Sequence, residues 1–254
     1  MNEDSADKTT FITREGTFRF RVVPFELTGV PTTFQRLMDL VMSGLNLEEC
    51  LVYFDDIIVF SADVQSHLVR LRAVFSRLRA AGLKLKQSKC TLFRRRVGLL
   101  GHIVSEKGIE TDSAKIESVV TWPVPTTVRD VRGFLGLCSY YRRFVKDFAE
   151  VAVPLHALTV KCVRFQWNDE CQVAFDRLNA ALTSSPILSM PMDGDVYALD
   201  TNASEQTMGA VLSQKQGEEE KLIAYASRTY SRAKQNYCTT RKELLAVVYF
   251  MKQF

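Results

Sequence analysis

Two adjacent aspartates, Asp55 and Asp56, interrupt an otherwise apolar run from Leu51 to Phe60. Leu51-Val52-Tyr53-Phe54 precedes them and Ile57-Ile58-Val59-Phe60 follows. Both flanks are rich in β-formers, so the run reads as two strands around a carboxylate pair. Burying two neighbouring carboxylates is costly, and a dication between them would relieve their repulsion. Magnesium suits such a place, because it takes oxygen ligands and leaves room for phosphates. In two-metal phosphoryl transfer, one ion activates the attacking hydroxyl and the other holds the leaving group. The bland alternative is a simple hairpin turn, where Asp is common.

The surrounding chain alternates strand-like and helix-like segments. Thr17 to Val23 alternates, with Phe18, Phe20 and Val22 on one face and Arg19 and Arg21 on the other, which predicts a half-buried strand. Thr32 to Ser43 reads as a helix with Phe34, Leu37, Met38 and Val41 at helical spacing, stopped by Gly44. Val64 to Ala81 is amphipathic, with Leu68, Leu71, Phe75 and Leu78 along one stripe, and Gly82 ends it. Short strands are expected at Leu83–Lys86, Thr91–Phe93 and Val97–Val104. Trp122-Pro123-Val124-Pro125 breaks the chain. Thr127 and Asp130 then form a capping-box pattern for a helix burying Val131, Phe134, Leu135, Cys138 and Tyr141. A helix and a proline-containing loop fill 160–194. Strands follow at Tyr197–Asp200, Gly209–Ser213 and Leu222–Ala226, with Glu218-Glu219-Glu220 in a turn, and Arg241 to Phe254 reads as a helix.

Lys and Arg outnumber Asp and Glu by 33 to 29, a mild basic bias that permits nucleic-acid binding without requiring it. The cations crowd the stretch from Arg70 to Arg96, which is either a solvated helix face or a phosphate track. The six cysteines form no CxxC pair, so no zinc knuckle or ribbon is written here. Met1 to Lys8 is polar and acidic, unlike a secretory signal. No apolar run approaches the ~20 residues of a membrane span. The expectation is an intracellular, reduced protein with no membrane partner.

Several segments carry a family resemblance. Tyr53-Phe54-Asp55-Asp56 resembles the Tyr-x-Asp-Asp box of reverse transcriptases, and Pro24 to Gln35 resembles the box that precedes it in gypsy-type retrotransposons. Ala81-Gly82-Leu83-Lys84-Leu85 and Ser88-Lys89-Cys90 match the lysine-bearing segment that follows. Leu99 to Ser105 resembles the primer-grip hairpin, and Phe134 to Phe144 the thumb helix after Trp-Pro-x-Pro. Thr201-Asn202-Ala203-Ser204 with Gly209 to Gln214 resembles the opening of the family's ribonuclease H domain. The chain therefore resembles the reverse transcriptase and ribonuclease H region of a gypsy-type Pol polyprotein.

The resemblance implies an α+β fold: a right-hand polymerase palm and thumb, then a truncated ribonuclease H-like α/β domain. Its divisions would be palm at 1–106, thumb at 107–160, connection at 161–194 and the nuclease-like domain at 195–254. It implies RNA-directed DNA polymerase and hybrid-nuclease activity, with Asp55 and Asp56 as catalytic ligands of Mg2+. Phe25, Gln35 and Tyr53 would meet nucleotide or template, as would Lys84 or Lys89, either of which reads equally well as a solvated cation. Leu100, Gly101 and His102 would grip the primer end, and Tyr141, Arg142 and Arg143 would touch the duplex. Glu243 matches the helix glutamate of the nuclease site; the residues alone favour an exposed helix carboxylate there. Implied partners are an RNA/DNA primer–template duplex, deoxynucleoside triphosphates and the rest of the polyprotein, in cytoplasm, virus-like particle or nucleus.

The sequence departs from the family in four places. The strand that carries a third catalytic aspartate is not represented. Glu26 stands where the family has glycine, and Asn202 where its nuclease box has aspartate. The remaining nuclease carboxylates would lie beyond Phe254. Asp200 shares a strand face with Asn202, yet sits ~7 Å away by strand rise, too far to substitute. The alternative reading is an inactive or domesticated fragment that at most binds duplex.

Overall fold

A computed structural model describes residues 3–24 and 27–254. Phe25 and Glu26, two positions singled out above, lie outside the described residues. The chain forms two compact units, Met1–Phe93 and Arg94–Phe254.

The first unit opens with a short helix, α1 (Glu3–Ala6), and an exposed hairpin of β1 (Phe11–Thr13) and β2 (Gly16–Phe18). The expected strand over Thr17–Val23 stops at Phe18. Its apolar positions remain exposed: Phe18 and Phe20 pack against Phe11, and Val22 is exposed. Helix α2 (Val30–Val41) begins at Gly29 with Pro31 in its first turn, where a missing N–H costs nothing. The strands β3 (Cys50–Tyr53) and β4 (Asp56–Val59) form an antiparallel hairpin, and α3 (Val64–Ala80) follows, capped by Asp63. Met38, Met42, Cys50, Val74 and Leu78 seal these elements together. The buried stripe of α3 is Leu71, Val74 and Leu78, so Phe75 sits at its edge, partly exposed; Leu37 on α2 is exposed too. Leu83–Lys86 and Thr91–Phe93 are not strands, because no neighbouring strand offers them partners.

The second unit starts with a three-stranded antiparallel sheet, β5 (Arg96–Leu99), β6 (His102–Ser105) and β7 (Gly108–Thr111). The run expected as one strand over Val97–Val104 is thus a hairpin bent at Leu100-Gly101. Helices α4 (Ser113–Val120), α5 (Val128–Tyr140), α6 (Phe148–Val151), α7 (Val153–Ala157) and α8 (Asp169–Thr183) surround one apolar core that includes Val119, Phe134, Phe148, Leu155 and Leu178. The capping box is present: Asp130 N–H donates to the Thr127 hydroxyl, and Thr127 N–H donates to the Asp130 carboxylate. All five residues expected inside α5 and its end, from Val131 to Tyr141, are buried.

A second sheet follows, in the order β10 (Glu219–Thr229), β9 (Thr207–Gln216), β8 (Tyr197–Ala203). Glu219 and Glu220 belong to β10 rather than to the turn, since they pair with Gln216 and Lys215. After the short α9 (Arg232–Gln235), α10 (Thr239–Gln253) packs on this sheet through Ala246 and Phe250. The two layers of the unit meet through backbone. Ile109 and Leu188 exchange hydrogen bonds of 2.7 and 2.9 Å, and Ser189 N–H donates to Leu222 at 2.7 Å.

The first of these junctions requires Gly108, whose φ is +127° and whose Cβ, if present, would lie 2.1 Å from the Leu188 carbonyl oxygen. Gly108→Ala is therefore expected to lose about 1–3 kcal/mol or more, read by urea unfolding. Gly136, exposed within α5 with open space around it, supplies the opposite sign: Gly136→Ala should gain about 0.5–1 kcal/mol.

Candidate nucleic-acid and carboxylate site

In the first unit the β3–β4 hairpin positions the two aspartates. Tyr53 pairs with Asp56, so Phe54 and Asp55 are the two residues of the turn. The backbone at Phe54 has φ +48°, a left-handed conformation that an L side chain adopts at a cost. Asp55 and Asp56 are exposed, which corrects the premise that the pair is buried within the apolar run. Val52, Ile57 and Val59 face the core, whereas Tyr53 projects outward at 49% exposure. The aspartates thus lie at a hairpin turn.

The turn is held from α2. Gln35 Oε1 accepts a hydrogen bond from Phe54 N–H at 2.6 Å. Its Nε2 donates to Asp39 Oδ1 at 2.8 Å, and to the Val52 carbonyl at 3.5 Å. Gln35, expected to address the template, is therefore engaged with the backbone beside the aspartates. Asp39 was not singled out from the sequence. Its place one turn after Gln35 is the signal that was available.

Lys84 and Lys89 are exposed. Of the cations from Arg70 to Arg96, only Arg96 is ion-paired among the described residues, with Glu110. Arg70 is committed to the Phe60 carbonyl at 2.6 Å. No group of three or more His, Cys, Asp or Glu residues placed to hold a metal occurs among the described residues.

In the second unit Leu100 and Gly101 are the two turn residues between β5 and β6, with φ +48° and +71°. Left-handed values at both centres match a type I′ turn. Leu100 is 40% exposed at its tip. The hydroxyl of Tyr140 donates to the Leu100 carbonyl, and that of Tyr141 to the Gly101 carbonyl at 2.8 Å. His102 stacks on Tyr140 with centroids 5.3 Å apart and also meets Tyr141 and Phe144.

Tyr141 is 1% exposed and its hydroxyl is spent on the turn. This corrects the expectation that its side chain touches duplex. Arg142 donates to the Ser227 carbonyl and lies over the Phe148 ring at 5.5 Å, so it too is engaged internally. Arg143 is half-buried with its Nε unpartnered.

In the nuclease-like sheet, Asp200 and Asn202 share the exposed parity of β8, opposite the Leu199 and Ala203 positions that pack with α10. Glu243 lies on α10, half-buried. Its charge, after burial, helps push the Tyr230 hydroxyl's pKa upward.

Comparison with known proteins follows the same division. Residues 1–104 match the family described as reverse transcriptase (RNA-dependent DNA polymerase), and residues 167–254 the RNase H-like domain found in reverse transcriptase. The retrovirus-related Pol polyprotein from transposon 297 of Drosophila melanogaster is 38% identical over 100% of this chain and 24% of its own length. That from transposon gypsy of the same organism is 36% identical over 98% of this chain and 25% of its own length. The chain thus spans about a quarter of the curated relatives it matches. Among solved structures, foamy viral protease-reverse transcriptase in complex with dsDNA aligns with a TM-score of 0.86 at 25% identity, covering 100% of this chain and 53% of that one. The same protein in complex with RNA/DNA hybrid aligns at 0.85 and 25%, over 100% and 34%.

Two outcomes follow from this geometry. Removing the acceptor at the aspartate turn, in Gln35→Leu, should speed amide exchange at Phe54 by roughly threefold to tenfold, the worth of one net hydrogen bond. The second concerns pH. Burial, with the Arg143 charge adding, holds His102 below its ordinary pKa of 6.5, and burial then Arg142 does the same for His156. Below 6.5 the unfolded chain takes up protons that the folded chain refuses, so stability is full above that value and falls as pH drops. The urea midpoint should decrease from about pH 7.5 to about pH 5.5, and decrease less in His102→Phe.

Proposed function

We propose, from the premise that this chain belongs to the gypsy-type retrotransposon Pol family and carries its reverse transcriptase and RNase H-like regions, that it holds a primer–template duplex and presents Asp55 and Asp56 to the primer end. The observation that carries this reading is the exposed carboxylate turn braced by Gln35. The palm would occupy 1–106, the thumb 107–160, the connection 161–194 and the nuclease-like domain 195–254. Duplex of the kinds named for the foamy viral complexes, dsDNA and RNA/DNA hybrid, is the proposed partner.

The family uses divalent metal. Asp55 and Asp56 are two exposed, adjacent carboxylates, and no group of three or more His, Cys, Asp or Glu residues that could hold a metal occurs among the described residues. The described residues do not complete a two-ion site. What this chain contributes is position. Gln35 fixes the turn, and Tyr53 offers an exposed ring one residue before it. Lys84 and Lys89 are free to meet phosphate. The Leu100–Gly101 turn would touch the primer end. Phosphate contacts of this kind position a duplex without reading its sequence.

The duplex-binding remnant is the second reading. Asn202 supports it, because a neutral amide oxygen attracts a cation far less than a carboxylate does. In that case Glu243 is an ordinary helix carboxylate.

With primed RNA template, deoxynucleoside triphosphates and Mg2+, the chain alone is expected to bind without extending. Its affinity for duplex should fall more than about tenfold between ~50 and ~200 mM salt. Binding indifferent to salt would overturn the phosphate-based reading, and processive incorporation would overturn the incomplete-site reading.

A further inference from the structure

The Leu100–Gly101 turn departs from what its residues prefer. Leucine at φ +48° is uncommon, and two successive left-handed residues leave their carbonyls turned out of the β5–β6 ladder. Both carbonyls are met by phenolic hydroxyls from consecutive residues at the end of α5, and that of Gly101 also accepts the Asp112 N–H at 3.3 Å. Phenylalanine at 140 and 141 would provide the same rings for packing. The hydroxyls answer a different need.

Their environments differ in a way that fits this. Tyr141 is enclosed, so its O–H must find an acceptor or lose a hydrogen bond on burial, and burial keeps it protonated with a pKa pushed up to about 12. Tyr140 is 51% exposed and could solvate its hydroxyl freely, yet donates to Leu100. His102, the first residue after the turn, stacks on the Tyr140 ring and meets the Tyr141 ring edge-on. Gly101 has φ +71°, and a Cβ there would sit tightly, 3.2 Å from the Tyr141 hydroxyl. The helix end that carries the tyrosines is itself fixed, because Arg142 reaches the Ser227 carbonyl on β10, and Ala149 N–H donates to the Ser227 hydroxyl at 2.9 Å.

We infer that the hydroxyls of Tyr140 and Tyr141 are positioning groups that hold the Leu100–Gly101 turn in the shape that meets a primer 3′ end. This rests on the proposed reading of that turn as primer-holding. The tyrosines touch no substrate; they act through the two carbonyls. A turn released from them would still belong to a folded unit, but its tip would sample other conformations and hold a primer end loosely.

The test uses the full chain and three variants, Tyr140→Phe, Tyr141→Phe and the double, which keep the rings and the core. Amide exchange at Gly101 and His102 in the free chain should rise about tenfold or more in the double variant, with thermal unfolding little changed. A primer–template duplex carrying 2-aminopurine at the primer 3′ end reads the second arm. Overall affinity, set by phosphate contacts, should stay within about twofold, while the fluorescence response of the terminal base is largely lost in the double variant. If the wild-type chain gives a terminal response and the double variant gives the same one, the tyrosine assignment fails alone. If wild-type chain binds duplex without any terminal response, the primer-holding reading fails and the inference falls with it, even where amide exchange changes.

Discussion

Both candidate substrate-facing features of this chain are hairpin tips with a bulky residue in the left-handed region. Phe54 and Leu100 each sit at φ +48°. Such a backbone persists only where outside groups over-determine it. At the first tip the outside group is one glutamine side chain, which mimics a neighbouring strand by addressing a backbone N–H and, more weakly, a backbone carbonyl. At the second it is a pair of phenols, which donate to the Leu100 and Gly101 carbonyls, the latter also accepting the Asp112 N–H at 3.3 Å. One tip presents carboxylates and the other an apolar side chain, yet both depend on a helix that lies elsewhere in the sequence.

The helical core and the second sheet of the second unit share their packing. Leu222 of β10 packs against the helical core, and Ser227 receives both Arg142 and the Ala149 amide. The Asp147 carboxylate fills the space over Gly209, the cross-strand partner of Asn202. The face of β8 that carries Asp200 and Asn202 is therefore bordered by the segment after α5. The aromatic cluster around His102 ends in that same segment, at Phe144.

Elements with a strong local signature were readable from sequence. The capping box at Thr127 and Asp130, the buried face of α5, the strands around the aspartates and the glycine-ended α3 each rest on contacts within a few residues. The misreadings have a common cause. Thr17–Val23 alternates like a strand, and Leu83–Lys86 and Thr91–Phe93 carry the right residues, but a strand exists only with a partner, and partners are assigned by topology. In the Val97–Val104 run the apolar pattern shows no break at the turn, whereas the hairpin implied by the family resemblance of Leu99 to Ser105 is present. Phe75 and Leu37 were placed by periodicity on faces that the neighbouring elements do not cover.

By itself the sequence determined the family, the aspartate pair and the substitution at Asn202, because each is a matter of residue identity at short spacing. Tertiary structure alone decided which side chains serve those residues. Gln35 reaches Phe54 across 19 positions, Tyr140 and Tyr141 reach their turn across 40, and Arg142 reaches Ser227 across 85. It also decided that Asp55 and Asp56 are exposed and that Tyr141 is not. Hydrogen bonds to backbone carbonyls and amides leave no trace in residue type at the receiving end, since every residue offers the same groups. Only the fold says which of them a distant side chain will find.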